Sequence, residues 1–140
     1  DVYKRQEDKI VDNVAMQLVM QPQKFDVIVT ENLYGDILSD LTSGLIGGLG
    51  LLPSSNMGED FAMFEAVHGS APDIAGKGIA NPTAFLWSAC MMLEHLGKQE
   101  TAVKIRRAVD EVLRQGTALT PDLGGTAGTK EYTEEIIRQL

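Results

Sequence analysis

Two aspartates in this sequence are spaced to bind a cation together. Asp36 and Asp40 lie four residues apart in residues 32–40, NLYGDILSD, where a helix is expected to follow a short apolar strand. Side chains at this spacing share one helix face, so the two carboxylates would repel each other unless positive charge lies over them. Mg²⁺ or Mn²⁺, which take oxygen ligands, would supply that charge. The alternative is an acidic first turn that faces solvent and complements the helix dipole.

A second candidate site is the glycine-rich stretch 68–82, HGSAPDIAGKGIANP. Its small residues would let a ligand approach the backbone closely. If that ligand is a nucleotide, Asp73 would accept hydrogen bonds from the adenosine-ribose hydroxyls and would repel a 2′-phosphate. The alternatives are a rigid surface loop, a His68 satisfied within the protein and an Asn81 that only caps the next helix.

Composition limits the classes of ligand. The 140 residues include 12 Lys and Arg against 20 Asp and Glu, a net charge of -8, which disfavours general binding to nucleic acids or anionic membranes. The longest nearly unbroken apolar run, residues 84–93, includes Ser88 and is far shorter than the ~20 residues of a membrane span. The single cysteine, Cys90, cannot form an intrachain disulfide. We therefore expect a buried thiol and a cytoplasmic location.

Hydrophobic spacing predicts the elements that position the aspartates. Residues 8–20 show a helical period that Pro22 ends. Residues 25–30, FDVIVT, are apolar on both faces and predict a buried strand. A second helix is expected from Gly35 through residue 41. The run 44–50, GLIGGLG, then breaks the period and indicates a boundary between structural units, not a dinucleotide fingerprint.

The second half of the chain predicts one strand and three helices. Residues 62–67 are expected to form the strand, and a loop follows. Asn81 as N-cap and Pro82 at the first helical position would open a helix. An amphipathic pattern over 99–114 predicts a surface helix that Gly116 ends, and a last helix is expected to begin near residue 129. The order of elements predicts an α/β fold with too few strands for a complete doubly wound sheet.

Residues 32–51 and 68–82 together resemble the isocitrate/isopropylmalate dehydrogenases, which are β-decarboxylating hydroxyacid dehydrogenases. The resemblance extends over residues 7–140. It implies the C-terminal part of a two-domain α/β fold that is incomplete in this chain. It further implies that residues 7–47 belong to a small dimerisation domain with the metal ligands, and 48–140 to a large cofactor-binding domain. Residues 1–6 are expected to be a non-native leader.

The resemblance also implies the site residues. Asp36 and Asp40 would bind Mg²⁺ or Mn²⁺ in their own subunit, and Asp12 would reach the metal of the partner subunit. The NAD contacts implied by the family are His68, Gly69, Ser70, Ala71, Asp73, Ile74, Asn81, Glu65 and Leu49. Asp73-Ile74 matches members that use NAD, whereas relatives that use NADP tend to carry Lys-Tyr there. Without the family, Asp12 would be an ordinary surface charge and Leu49 a core residue.

The implied reaction is NAD- and metal-dependent oxidation and decarboxylation of a 2-hydroxy acid. The ending 120–126, TPDLGGT, resembles the isocitrate and homoisocitrate branch, which favours isocitrate to 2-oxoglutarate, a step of the tricarboxylic acid cycle. 3-Isopropylmalate, homoisocitrate and a non-catalytic regulatory subunit remain alternatives. The catalytic lysine and tyrosine and the substrate-binding arginines would precede residue 1, so the chain alone is expected to be inactive. A homodimer or higher oligomer is implied, with a small hydroxy-dicarboxylate or hydroxy-tricarboxylate substrate and no nucleic-acid or membrane partner.

Overall fold

The computed structural model describes residues 5–140, so most of the expected leader lies outside the described residues. The chain divides into two compact units, one ending at Ile46 and the other spanning Gly47–Leu140. The first contains the helices α1 (Val11–Met20) and α2 (Asn32–Leu45). The second contains β1 (Pro53–Met57), β2 (Ala62–Ala66), α3 (Thr83–His95), α4 (Gln99–Gln115) and α5 (Thr129–Gln139). Among these helices, none is both long and apolar enough to cross a bilayer.

The first unit has a small core between its two helices. Val14 and Leu18 of α1 are buried against Leu38 of α2, with Phe25 and Leu41 packed around them. Both predicted helices are confirmed, with shifted starts. Helix α1 begins at Val11 and not at residue 8. Helix α2 begins at Asn32 and not at residue 35, because the residue 31 carbonyl accepts the N–H of residue 35 and so closes an earlier turn.

The strand predicted at residues 25–30 is wrong. These residues form no strand, and Val27 and Val29 are 83% and 93% exposed. A strand that is apolar on both faces needs neighbouring strands for its backbone groups and a cover on each face. The described part of the first unit, 5–46, holds two α-helices, a short 3-10 helix and no strand to pair with.

The second unit begins with an antiparallel hairpin. Strand β1 pairs with β2 so that Pro53 lies opposite Ala66 and Met57 opposite Ala62. The prediction of β2 is confirmed, one residue shorter than expected. Strand β1 was missed because its sequence, PSSNM, is poor in the β-branched and aromatic residues typical of strands. The structure therefore contains both helices and strands, as the predicted class requires. Its two strands form a hairpin in the second unit, and no strand forms at residues 25–30.

The main core of the second unit lies between α4 and α5. Val109 and Val112 of α4 and Tyr132 of α5 are fully buried there, and Ile136 is nearly so. The residues facing this core recur at helical spacing, as the amphipathic pattern predicted. The predicted end of α4 is confirmed, since Gly116 takes the left-handed conformation with φ +69°. Cys90 is a fully buried free thiol, as expected.

Candidate functional site

The second unit contains a cleft of about 790 Å³. Three segments line it: residues 49–50, most of the loop 68–81, and residues 121–122. The volume lies within the ~300–1,000 Å³ range of small-molecule and cofactor sites. The glycine-rich stretch singled out by its sequence therefore forms a wall of a real concavity.

Turns in the loop 68–81 fold the chain around the cleft. The Ile74 N–H donates to the Ala71 carbonyl, and the Lys77 N–H donates to the Ile74 carbonyl, at 3.0 and 3.1 Å. Gly78 has φ +65°, a conformation that glycine adopts without steric cost. Ala71 has φ +41°, although its side chain disfavours that region, and it is the one such non-glycine among the described residues. Backbone strain of this kind concentrates at functional sites.

Asn81 uses both ends of its side chain within the protein. Its Oδ1 accepts a hydrogen bond from the Thr83 N–H, and its Nδ2 donates to Asp122 Oδ2, both at 2.9 Å. The predicted cap is wrong by one position, because Pro82 holds the N-cap place and α3 begins at Thr83. The Asn81 carboxamide still satisfies a first-turn N–H, so Asn81 stabilises the helix start from one residue further out.

Gly50, Pro121 and Asp122 line the cleft and were missed by the sequence reasoning. A Cβ on Gly50 would lie 3.0 Å from Asp122 Oδ2, so the absence of a side chain there leaves room for the Asn81–Asp122 hydrogen bond. The motif 120–126 was visible in the sequence, but only as a mark of the family branch. No spacing rule joins residues 41 positions apart.

Most of the predicted cofactor residues line the cleft, and two do not. Those in the lining are Leu49, His68, Gly69, Ser70, Ala71, Ile74 and Asn81. Asp73 is exposed next to the lining residue Ile74 without being part of the lining itself. Glu65 is exposed on the hairpin, where its Oε1 accepts a hydrogen bond from Asn56 Nδ2 at 3.1 Å. The role of each as a cofactor contact stays a prediction.

His68 is not a buried core histidine. Its ring is exposed at the cleft, and Nδ1 lies 3.2 Å from the Gly69 carbonyl oxygen. One ring nitrogen therefore has a partner within the protein, as the alternative of a satisfied His68 expects, while the ring stays exposed at the cleft. A ring nitrogen in this place can donate to or accept from a ligand, depending on its protonation.

A buried hydrogen bond lies behind the loop. Thr83 Oγ1 and Tyr132 Oη are 2.7 Å apart, and both residues are fully buried. Burial raises the pKa of Tyr132 and outweighs the opposing effect of the Thr83 hydrogen bond, so the phenol stays protonated and available as a donor. This pair links the start of α3 to α5.

The predicted metal ligands lie in the first unit, on its surface. Asp36 and Asp40 are exposed one turn apart on α2, and neither forms an ion pair within residues 5–140. Asp12 is exposed in the first turn of α1, where its Oδ1 accepts the Asn13 N–H at 2.6 Å. Over the same residues, no group of three or more histidine, cysteine, aspartate or glutamate side chains is placed to hold a metal ion together.

The carboxylate pair nonetheless suits a hard cation that keeps part of its ligands elsewhere. Mg²⁺ usually binds through one or two carboxylates and completes its octahedron with waters and substrate oxygens. Asp36 and Asp40 offer only carboxylate oxygens, and no side chain of the described residues neutralises them. The donor set fits Mg²⁺ or Mn²⁺ and would not select a soft metal.

Known proteins resemble this chain in both sequence and structure. Residues 4–136 match the family described as isocitrate/isopropylmalate dehydrogenase. An isocitrate/homoisocitrate dehydrogenase of Thermus thermophilus is 63% identical over 134 residues, covering 96% of this chain and 40% of that protein. A 3-isopropylmalate dehydrogenase of Methanothermobacter thermautotrophicus is 58% identical over 133 residues, covering 95% and 40%.

A solved structure agrees with these relatives. The crystal structure of isocitrate dehydrogenase from Methylococcus capsulatus superposes with a TM-score of 0.89 at 59% identity, covering 94% of this chain and 40% of that one. The chain therefore spans about 40% of the length of the curated relatives it matches.

Proposed function

This chain belongs to the isocitrate/isopropylmalate dehydrogenase family, and from that membership we propose that it supplies the NAD-binding cleft and two metal ligands of a β-decarboxylating dehydrogenase. The observation that carries the proposal is the nucleotide-sized cleft whose main wall is the loop 68–81. The proposed reaction is the oxidation and decarboxylation of isocitrate to 2-oxoglutarate. Homoisocitrate and 3-isopropylmalate are the alternative substrates, because relatives of similar identity are named for each.

The cofactor half of the proposal rests on small residues and one carboxylate. Gly69, Ser70 and Ala71 line the cleft with little side-chain bulk, which would let a dinucleotide lie against the backbone. Asp73 stands at the edge of this wall, exposed and negatively charged, where it would accept from ribose hydroxyls and repel a 2′-phosphate. NAD is therefore the proposed cofactor, in preference to NADP.

The metal half of the proposal rests on α2. Asp36 and Asp40 would hold Mg²⁺ or Mn²⁺ from one helix face, and Asp12 of the partner subunit would add a third carboxylate. The cation, when bound, would polarise the substrate carbonyl and stabilise the negative charge left by decarboxylation. The carboxylates would hold the cation, and the cleft would hold the nicotinamide cofactor, which would supply the hydride acceptor for the oxidation.

Assembly as a homodimer or higher oligomer is part of the same proposal. Ile10 and Ile37 are 74% and 52% exposed, which supports burial of apolar surface against a second copy. Val14 and Leu18, in contrast, are already buried inside the first unit and offer nothing to a partner. A reducing compartment such as the cytoplasm is the proposed location, because the single cysteine is a free thiol.

A chimera tests the proposed function directly. In it, this chain replaces the matching 134-residue part of the Thermus thermophilus isocitrate/homoisocitrate dehydrogenase. We expect oxidative decarboxylation of isocitrate that requires Mg²⁺ or Mn²⁺ and prefers NAD over NADP in kcat/KM. Asp73→Asn should lower that preference by about tenfold or more, because a repulsion against the 2′-phosphate is removed.

The matched control is Asp60→Asn, which removes an exposed carboxylate from the hairpin turn of the same unit. It should leave the cofactor preference unchanged. Equal use of both cofactors by the unaltered chimera would refute the NAD assignment. A folded but inactive chimera would instead favour the non-catalytic regulatory subunit.

A further inference from the structure

Helix α5 holds the wall of the cleft at two points through a single residue. The Thr129 N–H donates to the Gly78 carbonyl at 2.7 Å, and the Thr129 hydroxyl donates to the Ala80 carbonyl at 2.5 Å. Gly78 and Ala80 both line the cleft, whereas Thr129 does not. One residue, 49 positions further along the chain, therefore fixes the direction of two peptide groups in the wall.

The contact depends on a close approach of the two backbones. A Cβ at position 128 would lie 3.0 Å from the Gly78 carbonyl oxygen, so Gly128 lets the start of α5 reach the loop. The Gly128 N–H is in turn occupied by Glu131 Oε2 at 3.0 Å. Thus the first donors of α5 are shared between its own cap and the cleft wall.

The remainder of α5 is buried in the core, which holds Thr129 in place against the cleft wall. Tyr132 and Ile136 are buried against α4. Tyr132 also contacts Thr83, whose N–H donates to Asn81 at the far end of the loop. Residues 78–81 are thereby held by α5 directly at 78 and 80, and through Thr83 at 81.

We propose that Thr129 is a positioning residue for the cofactor: its hydroxyl presets the loop wall that receives the adenine-nucleotide half of NAD. This inference rests on the proposed function. A wall held in its binding shape loses less conformational freedom when the ligand arrives, so the fixed geometry strengthens binding without any contact between Thr129 and the ligand. Thr129 would act through the Ala80 carbonyl.

The test measures NAD binding to the chimera, in which this chain is joined to the part of the Thermus thermophilus enzyme that it does not match. Thr129→Val keeps the side-chain shape and removes the hydroxyl, and it should weaken NAD binding about fivefold to tenfold. Thr129→Ser keeps the hydroxyl and should restore the affinity. The amide signals of residues 78–81 should shift in the Val variant without NAD, while those of α4 stay in place.

The matched control is Thr133→Val, one turn further along α5, where the hydroxyl bonds only to the Thr129 carbonyl at 2.7 Å. It should bind NAD like the unaltered chimera. Full affinity in Thr129→Val, failure of Thr129→Ser to restore it, or equal weakening in Thr133→Val would overturn the positioning role and leave the NAD proposal standing. A Thr129→Val chain that does not fold would show a purely structural role and would also overturn it. Absence of NAD binding by the unaltered chimera would refute the cofactor proposal itself, and this inference with it.

Discussion

The two units differ in how far each covers its own apolar residues. In the unit Gly47–Leu140, Val109, Val112 and Tyr132 are fully buried in a core that two helices share. In the unit that ends at Ile46, the core is limited to Val14, Leu18 and Leu38 with a few neighbours. Large apolar side chains are exposed in both units, but they are more frequent in this shorter one, where Val29 is 93% exposed.

The difference follows the chemistry proposed for each unit. The second unit holds a cleft whose wall is braced by hydrogen bonds from α3, α5 and residue 122, so its site is preorganised within one chain. The first unit presents Asp12, Asp36 and Asp40 on exposed helix faces and does not gather them into a metal site within residues 5–46. The same chain therefore contains a complete cleft and three proposed metal ligands, Asp12, Asp36 and Asp40, that are not gathered into a site.

The largest expected effect concerns the proposed metal ligands of the first unit. In the chimera, Asp36→Asn or Asp40→Asn should lower kcat at least about 10³-fold, because charge stabilisation by a metal is worth several kcal/mol and each ~1.4 kcal/mol is tenfold. The Mn²⁺ concentration that gives the half-maximal rate should rise. Steady-state rates across a Mn²⁺ series measure both.

Asp110→Asn is the control, since it removes an exposed helical carboxylate from the second unit. Its activity and Mn²⁺ dependence should match the unaltered chimera. Mixing inactive Asp12→Asn chains with inactive Asp36→Asn chains should recover partial activity, because one site of each mixed dimer would contain neither change. Unaltered metal dependence in both α2 variants would remove the first unit from the metal site.

A smaller effect compares the two units through the same substitution. Val109→Ala and Val29→Ala remove the same two methyl groups from residues that are 0% and 93% exposed. Val109→Ala should lower the free energy of unfolding by about 2 kcal/mol, from lost burial and a cavity, and Val29→Ala by less than ~0.5 kcal/mol. Urea denaturation followed by far-UV circular dichroism gives both values.

Trp87, the single tryptophan, packs against the Val109 core and serves as a second probe of that unit. Its fluorescence should report the same loss for Val109→Ala. An equal cost for Val29→Ala would break the comparison, because it would show that Val29 is buried in solution, as assembly with a second copy would bring about.

Elements whose hydrophobic spacing and terminating residues lie within their own sequence were predictable. Helix α4 carries its apolar face at helical spacing and ends at a glycine, and both features are local. The strand expected at residues 25–30 depended on neighbours that no local pattern can supply, and it does not form. Strand β1 forms although its residues have low strand propensity, because β2 pairs with it.

The residues of the candidate site also divide into those that a local pattern predicts and those that it does not. The loop 68–81 was predictable because small residues and a carboxylate fall within one short stretch. Asp122 and Thr129 reach that loop from more than 40 positions away, through one side-chain pair and one helix start. Thr129 is placed by the packing of α5 on α4, and Asp122 lies on the connection between those two helices. Tertiary packing of this kind leaves no mark in sequence spacing.

The smallest expected effect compares two tyrosines, one from each unit. Tyr132 is fully buried with its hydroxyl 2.7 Å from Thr83 Oγ1, whereas Tyr34 is 38% exposed. Tyr132→Phe leaves the buried Thr83 hydroxyl without its partner and should cost about 1 kcal/mol of unfolding free energy at pH 7. Tyr34→Phe should cost almost nothing.

The pH dependence gives this comparison its sharpest form. Burial raises the pKa of Tyr132 above its ordinary 10.0, so below pH 10 the phenol is protonated in both states and its stabilising contribution is fully present. Above pH 10 the unfolded chain loses its proton first, and the contribution falls as the pH rises through the folded pKa. Since phenylalanine has no such proton, the stability gap between the unaltered chain and Tyr132→Phe should narrow from pH 10 upwards. Urea denaturation at pH 7, 9, 10 and 11 measures the gap, and a gap that stays constant over that series would show that Tyr132 is accessible to solvent and that the second unit is less closed than its core indicates.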